Sequence, residues 1–262
     1  MRWIRAVTLA FSTYTRVPMP QVRWDDRAMG LAIAFLPLVG AVLGGTAWAW
    51  QWLCAALGLS PVLFAAVTVA LPVLITGGIH LDGFCDTSDA LASWQSRERR
   101  LEIMKDPHVG AFALIRLSVY LLCSFAVLHE LYLRSTDGRV LGLVYVLSRA
   151  FAAWSAMALP NARKAGMLAA FTEGTDRRGA RLTLGLLTAA GLAGWVILAG
   201  ASGLIALGLG AGAALWYVRM TRKTFGGVTG DTTGFFLQIT ELALFSGLLT
   251  GGIGLEWIRS FC

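Results

Sequence analysis

The sequence predicts an all-α fold: a polytopic membrane bundle of about seven transmembrane helices, one membrane-embedded catalytic domain over residues 1–262, with a cytoplasmic N-terminus. Three observations predict it. The 262 residues are 56% hydrophobic and 14% charged, with a mean hydropathy of +0.66, values that suit a membrane bundle and not a soluble domain. The apolar residues gather into runs near the roughly 20 residues that a helix needs to cross the hydrocarbon layer. Lys and Arg, finally, concentrate in alternate loops.

In chain order the runs fall at approximately 31–50, 61–79, 110–133, 140–160, 182–201, 203–218 and 235–254, the sixth being short. The basic segment ahead of them is broken by Pro18 and Pro20. It lacks a short apolar core with a small-residue cleavage site, so no removable signal peptide is expected.

Orientation follows from the cations. Arg2, Arg5, Arg16, Arg23 and Arg27 precede the first run, and Arg97, Arg99, Arg100 and Lys105 follow the second. Arg163, Lys164, Arg177, Arg178 and Arg181 follow the fourth, and Arg219, Arg222 and Lys223 the sixth, which makes 17 of the 22. The intervening loops hold only Arg134, Arg139 and Arg259, while Arg116 and Arg149 lie inside runs. Segments 76–110 and 219–241 are therefore expected to meet at the cytoplasmic side, with a C-terminus outside. The net charge of +7 belongs to this inner collar and suits anionic headgroups or a phosphorylated substrate. The cysteines, Cys54, Cys85, Cys123 and Cys262, have no paired spacing and read as free thiols.

The densest chemistry lies at Ile79-His80-Leu81-Asp82-Gly83-Phe84-Cys85-Asp86-Thr87-Ser88-Asp89. On a helix Asp82, Asp86 and Asp89 fall within roughly 60° of one another. Carboxylates so close need protonation, a basic partner or a divalent cation such as Mg²⁺. An acidic helix start is the plainer alternative, but Gly77, Gly78 and Gly83 with Thr87 and Ser88 leave room for a ligand to approach the backbone.

Around it stand Lys105 and Asp106, at the re-entry into the third run after an amphipathic stretch from Arg97, and Arg116, an intramembrane cation that needs an anion or a cavity. Phe225 to Gly234 carries four glycines, among them Gly227 and Gly230, with Thr229 and Asp231, in the manner of a loop that offers backbone N–H groups to phosphate. Gln238 and Glu241 continue from Asp231 as a polar stripe, within about 80° of it around the helix axis, and Ser148 and Arg149 add a further intramembrane polar pair. An acidic patch facing several cations suits chemistry on a phosphoanhydride.

These residues resemble a known family. Tyr14-Thr15-Arg16-Val17-Pro18-Met19-Pro20, Leu36-Pro37-Leu38-Val39-Gly40, the run from Thr76 to Asp89, Leu101 to Asp106 with Gly110-Ala111-Phe112, Ser148-Arg149-Ala150 and Gly226 to Asp231 are similar to the cobalamin synthases, the adenosylcobinamide-GDP ribazoletransferases of the bacterial inner membrane. The resemblance implies that α-ribazole, or its 5′-phosphate, attacks the phosphate joining the aminopropanol arm of adenosylcobinamide-GDP to GMP, which leaves. It further implies Mg²⁺ on Asp82, Asp86 and Asp89, with Asp106 and Asp231 as outer or second-site ligands, and Lys105 and Arg116 facing the departing GMP. Arg149, Gly227, Thr229, Gly230, Gln238 and Glu241 are expected to bind substrate. The base stays open between His80 and Asp89: in a continuous helix His80 points away from the aspartates, so it serves only if the backbone breaks at Gly78 or Gly83. Expected partners are the two substrates and the lipid bilayer, with no nucleic acid; a homo-oligomer or other cobalamin-assembly enzymes stay open. A CDP-alcohol phosphotransferase, a prenyltransferase and a transporter are the alternatives.

Overall fold

The structure, a computed structural model, describes residues 2–22, 26–164, 166–172 and 177–260. Arg23 and Cys262 lie outside them. Among the described residues every named element is helical, apart from an isolated bridge between Asn161 and Val228. The helices are α1 Arg2–Tyr14, α2 Asp26–Ala32, α3 Leu36–Leu57 (joined to α2 by a 3₁₀ turn), α4 Pro61–Thr76, α5 Ile79–Ala92 and α6 Arg97–Ile103, followed by α7 Ala111–Leu133, α8 Gly138–Ala158, α9 Met167–Thr172, α10 Arg177–Thr224 and α11 Gly230–Arg259.

Length and apolarity qualify five helices as membrane spans, and a sixth if α4 and α5 form one bent unit. About seven were expected, and α10 accounts for most of the difference. It counts as a single 48-residue element but is non-helical at Gly200, where φ is 56°. The arm before Gly200 packs on α8, with Trp154 bonded to Thr188 and Gly191 against Leu147. The arm after it packs on α11, with Ala206 against Gly247 and Ser202 against Gly251. Since α8 and α11 are themselves antiparallel through Ser148–Glu241 and Tyr145–Phe245, the two arms run in opposite directions. They coincide with the expected runs 182–201 and 203–218.

The second correction is at the expected run 61–79. Gly77 and Gly78 both adopt left-handed φ values, 71° and 82°, which glycine enters without a Cβ penalty. The chain bends there by 96°. α4 is therefore only 16 residues long, about 24 Å, and α5 folds back beside α7 and the start of α11, with Phe84 against Tyr120, Ser88 bonded to Arg116 and Asp89 at Gly110 and Ala113. The sequence reading also did not foresee α1, a 13-residue helix that buries Ala6, Leu9 and Ala10 against the same end.

Small residues set the helix spacing. A Cβ on Gly40 would lie 2.4 Å from Tyr145 O, and one on Gly44 2.3 Å from Gly142 O, so α3 and α8 approach backbone to backbone as in small-xxx-small packing. The large exposed side chains, among them Leu122 of α7 and Leu186 and Ile197 of α10, belong to helices whose apolar surface a bilayer would cover.

Candidate active site

Two helices cross at the end of the bundle where α6 and Arg163 lie, and glycine lets them touch. A Cβ on Gly83 of α5 would lie 2.7 Å from Asp231 O and 2.8 Å from its Cα; one on Gly234 of α11 would lie 3.1 Å from His80 O. The crossing brings Asp82 and Asp86 beside Asp231. Gly83→Ala must separate the helices by some tenths of an ångström, an overpacking cost of about 1–3 kcal/mol. A loss of activity of at least tenfold in protein that still elutes as a folded species in detergent is the expected result.

Electrostatics register the crowding. Asp86 is pushed up to about 7 by burial, then by the charges of Asp82, Asp231 and Asp89, with Arg163 opposing. Arg163 is the partner the acid cluster was expected to need: it donates to Asp231 Oδ2 at 3.3 Å and to Leu101 O at 3.0 Å. Asp231 opens α11 behind Thr229, whose hydroxyl accepts from Thr232 N at 3.1 Å while Thr229 N donates back to Thr232 Oγ1 at 2.8 Å. This capping box fixes the loop. Gly227 and Thr229, expected to bind substrate, are instead buried in the loop's own packing; a Cβ on Gly227 would meet Pro160 O at 2.2 Å. Gly230 faces open space as part of the wall of two cavities, and Thr229 borders one of them.

The first cavity, about 120 Å³, is lined by polar groups that include Asn161, Arg163, Thr229 and Asp231. The second, about 290 Å³, is bounded by Tyr14, His80, Asp82, Asp231 and a set of aliphatic side chains. Met167 and Leu168 of α9 border both. His80 and Asp82 thus share a wall despite pointing apart around α5, because the cavity wraps its first turn; the break at Gly78 precedes His80. His80 is buried and stacked on Tyr14 at 6.0 Å. Burial, followed by the charge of Arg149, holds its imidazole down to about 3, so it is neutral.

The other expected site residues are placed elsewhere. Asp89 accepts from Gly110 N at 2.6 Å and Ala113 N at 2.8 Å, capping α7 with both oxygens. Arg116 donates to Ser88 O at 2.9 Å, tying α7 to α5. Asp106 is exposed and holds His108, whose N and Nδ1 lie at 3.0 and 2.7 Å; Lys105 beside it is exposed. Arg149, Gln238 and Glu241 line an interior space of about 30 Å³ between α4, α7, α8 and α11, bounded also by Gly78 and Leu81 near His80 and sharing no lining residue with either larger cavity. There Arg149 pairs with Glu241, and Tyr120 donates to Gln238. Cys54, Cys85 and Cys123 are free, and burial raises Cys85 to about 11, the range of an inert thiol.

Among the described residues no group of three His, Cys, Asp or Glu side chains is gathered to hold a metal ion. The donor chemistry nevertheless fits Mg²⁺, which in phosphoryl-transfer sites takes one or two carboxylates and completes its shell with water and substrate phosphate. Asp82, Asp86 and Asp231 supply such a set.

The profile of the family described as Cobalamin-5-phosphate synthase matches residues 6–249. An adenosylcobinamide-GDP ribazoletransferase of Lachnoclostridium phytofermentans is 34% identical over 98% of this chain and 100% of its own length. One of Pseudomonas entomophila is 39% identical over 92% and 96%, and one of Clostridium perfringens strain 13 is 32% identical over 95% and 98%. No solved structure matches.

Proposed function

Because this chain belongs to the cobalamin-5-phosphate synthase family, and is thereby a cobalamin-forming transferase, we propose that it joins adenosylcobinamide-GDP to α-ribazole or its 5′-phosphate at the crossing of α5 and α11. The crossing faces the cytoplasm of a bacterial inner membrane, the side that the Lys and Arg of the neighbouring loops favour. The carrying observation is the convergence of Asp82, Asp86 and Asp231 with Arg163 around two adjoining cavities, a smaller one of mixed lining that includes Arg163 and a larger one that is mostly apolar.

Asp82, Asp86 and Asp231 would hold Mg²⁺, which when bound neutralises charge on a pyrophosphate. The N–H groups of Gly230 and Asp231 precede the first intrahelical bonds of α11, and with the Arg163 guanidinium they orient phosphoryl oxygens. His80, kept neutral, accepts the hydrogen bond of the attacking ribose hydroxyl and aims its lone pair. Attack forms the new phosphodiester as the bond to GMP breaks, and the hydroxyl proton passes to the freed phosphate oxygen of the departing GMP. Asp89, with both oxygens on α7 amides, supports the site by fixing α7 against α5.

Purified protein in vesicles, given adenosylcobinamide-GDP and α-ribazole, is expected to release GMP in step with corrinoid product, to stop with EDTA and to resume with added Mg²⁺. Cytidine-linked and prenyl diphosphates should release nothing. GMP release indifferent to EDTA would remove the metal from the reading; release from a cytidine-linked or prenyl substrate alone would remove the reading itself.

A further inference from the structure

The two cavities at the crossing differ in chemistry in a way that the overall reaction does not dictate. In the larger one Ile33, Leu36, Ile79, Met167, Leu168 and Leu237 supply the aliphatic part of the lining, and Asp82, Asp231 and Thr233 are among its polar groups. Its volume of about 290 Å³ is at the lower end of small-molecule pockets, too small for a corrinoid macrocycle. Within the aliphatic part of the lining a guanine base would bury amide and amine groups without partners, since the side chains that could answer them, Asp82, Asp231 and Thr233, are the ones given to metal and phosphate in the proposed reaction. A flat aryl base with few polar atoms carries no such penalty. The ring of Tyr14 stands on the wall, stacked on His80, and ring faces favour flat aromatic ligands in offset stacks. His80 is 7% exposed, and its Nδ1 has no hydrogen-bond partner. That buried, unanswered nitrogen at the junction of the apolar lining and the carboxylates asks for a polar atom from a ligand.

We infer that this cavity is the nucleoside subsite: it takes the aryl base of the incoming α-riboside against its aliphatic lining and presents the ribose to His80 and Asp82. The polar cavity on the other side of Met167 and Leu168 is left for the phosphates of the other substrate. The assignment rests on the function proposed above and adds to it which substrate occupies which side, with base selection falling to Tyr14, Leu168 and their apolar neighbours. Tyr14 and Leu168 act as specificity residues. The N-terminal segment, whose Arg16 N donates to Ile75 O at 2.7 Å beside the α4–α5 break, is thereby part of the active site.

The test is steady-state kinetics of GMP release in vesicles, varying each substrate separately. Leu168→Trp narrows the cavity from the short helix α9 and, since Leu168 also borders the smaller cavity, is expected to raise KM for α-ribazole at least tenfold more than KM for adenosylcobinamide-GDP. Leu168→Ala widens it and is expected to gain at least threefold in kcat/KM for an α-riboside of a base one ring larger, relative to α-ribazole. On the unsubstituted protein the adenine α-riboside, whose amine the lining leaves unpaired, is expected to react at least tenfold less efficiently than α-ribazole. A rise in KM for adenosylcobinamide-GDP as large as that for α-ribazole in Leu168→Trp, or an unchanged base preference in Leu168→Ala, overturns the assignment. If Leu168→Trp does not fold, Leu168→Ala and the adenine riboside decide it. No GMP release from the unsubstituted protein would instead remove the proposed reaction, which separates the two failures.

Discussion

Asp82→Asn lowers GMP release by about 10³-fold, equivalent to ~4 kcal/mol of transition-state stabilisation, and leaves the fold intact. The amide keeps the shape of the carboxylate and removes its charge. Asp82 is exposed at the edge of the larger cavity, and no described hydrogen bond uses its side chain to hold the structure. Asp86→Asn should be as damaging to activity but should raise the melting temperature, because it replaces a carboxylate that burial, and then the charges of Asp82, Asp231 and Asp89, push up to about 7 with an uncharged amide. Lower activity with higher stability is the signature of groups arranged for a ligand at a cost to the fold. Asp89→Ala should show the opposite. It removes the cap from Gly110 N and Ala113 N, costs about 1–2 kcal/mol of stability, and reduces activity through the placement of α7. Thermal melts and GMP release on the three variants check all of this; retention of more than a tenth of the activity in Asp82→Asn would exclude its carboxylate from the reaction.

Much of the fold was legible in the sequence because its strongest signals are local. Apolar runs are visible as length. The helix geometry that united Asp82 and Asp86 holds, since α5 runs unbroken from Ile79 to Ala92. What could not be read was three-dimensional. The glycine pair Gly77-Gly78 was noted as room for a ligand, but its effect is a 96° bend that turns the acid helix back beside α7 and the start of α11. Asp89 shares the face of its neighbours, yet the amides that claim it come from residues 110 and 113, and the distance in sequence hides them. Tyr14 was quoted only within a motif. Its place on the cavity wall depends on α1 folding back over the bundle end, and a 13-residue amphipathic segment next to prolines gives little sign of that. Arg163 had the right charge in the right loop; its choice of Asp231 follows from the bridge that lays 160–162 along Val228.

Arg149→Met is expected to cost about 3–5 kcal/mol, and Glu241→Leu a similar amount, because each strands the other charge inside the bundle. Arg149 is fully buried and Glu241 nearly so, and each lies about 15 Å along its helix from the end where α5 and α11 cross, near the middle of the hydrocarbon thickness. The pair is set in place by Ser148, which accepts from Arg149 at 3.0 Å and donates to Glu241 at 3.3 Å, and by the Tyr145 ring 5.4 Å from the guanidinium carbon. Desolvation of both ions is already part of the native state, so a paired apolar replacement removes the attraction and the desolvation together. The double variant Arg149→Met/Glu241→Leu should therefore be more stable than either single one, with a coupling of at least ~2 kcal/mol in a double-mutant cycle read from thermal unfolding in detergent. The same cycle decides between the sequence-based expectation that these residues bind substrate and their placement outside the lining of both larger cavities. Recovery of stability together with GMP release makes the pair a clamp between α8 and α11, the helix that carries Asp231. Recovery of stability without activity would return Arg149 and Glu241 to the substrate. The enclosure of the pair in a space of about 30 Å³, room for about a single water, favours the first outcome.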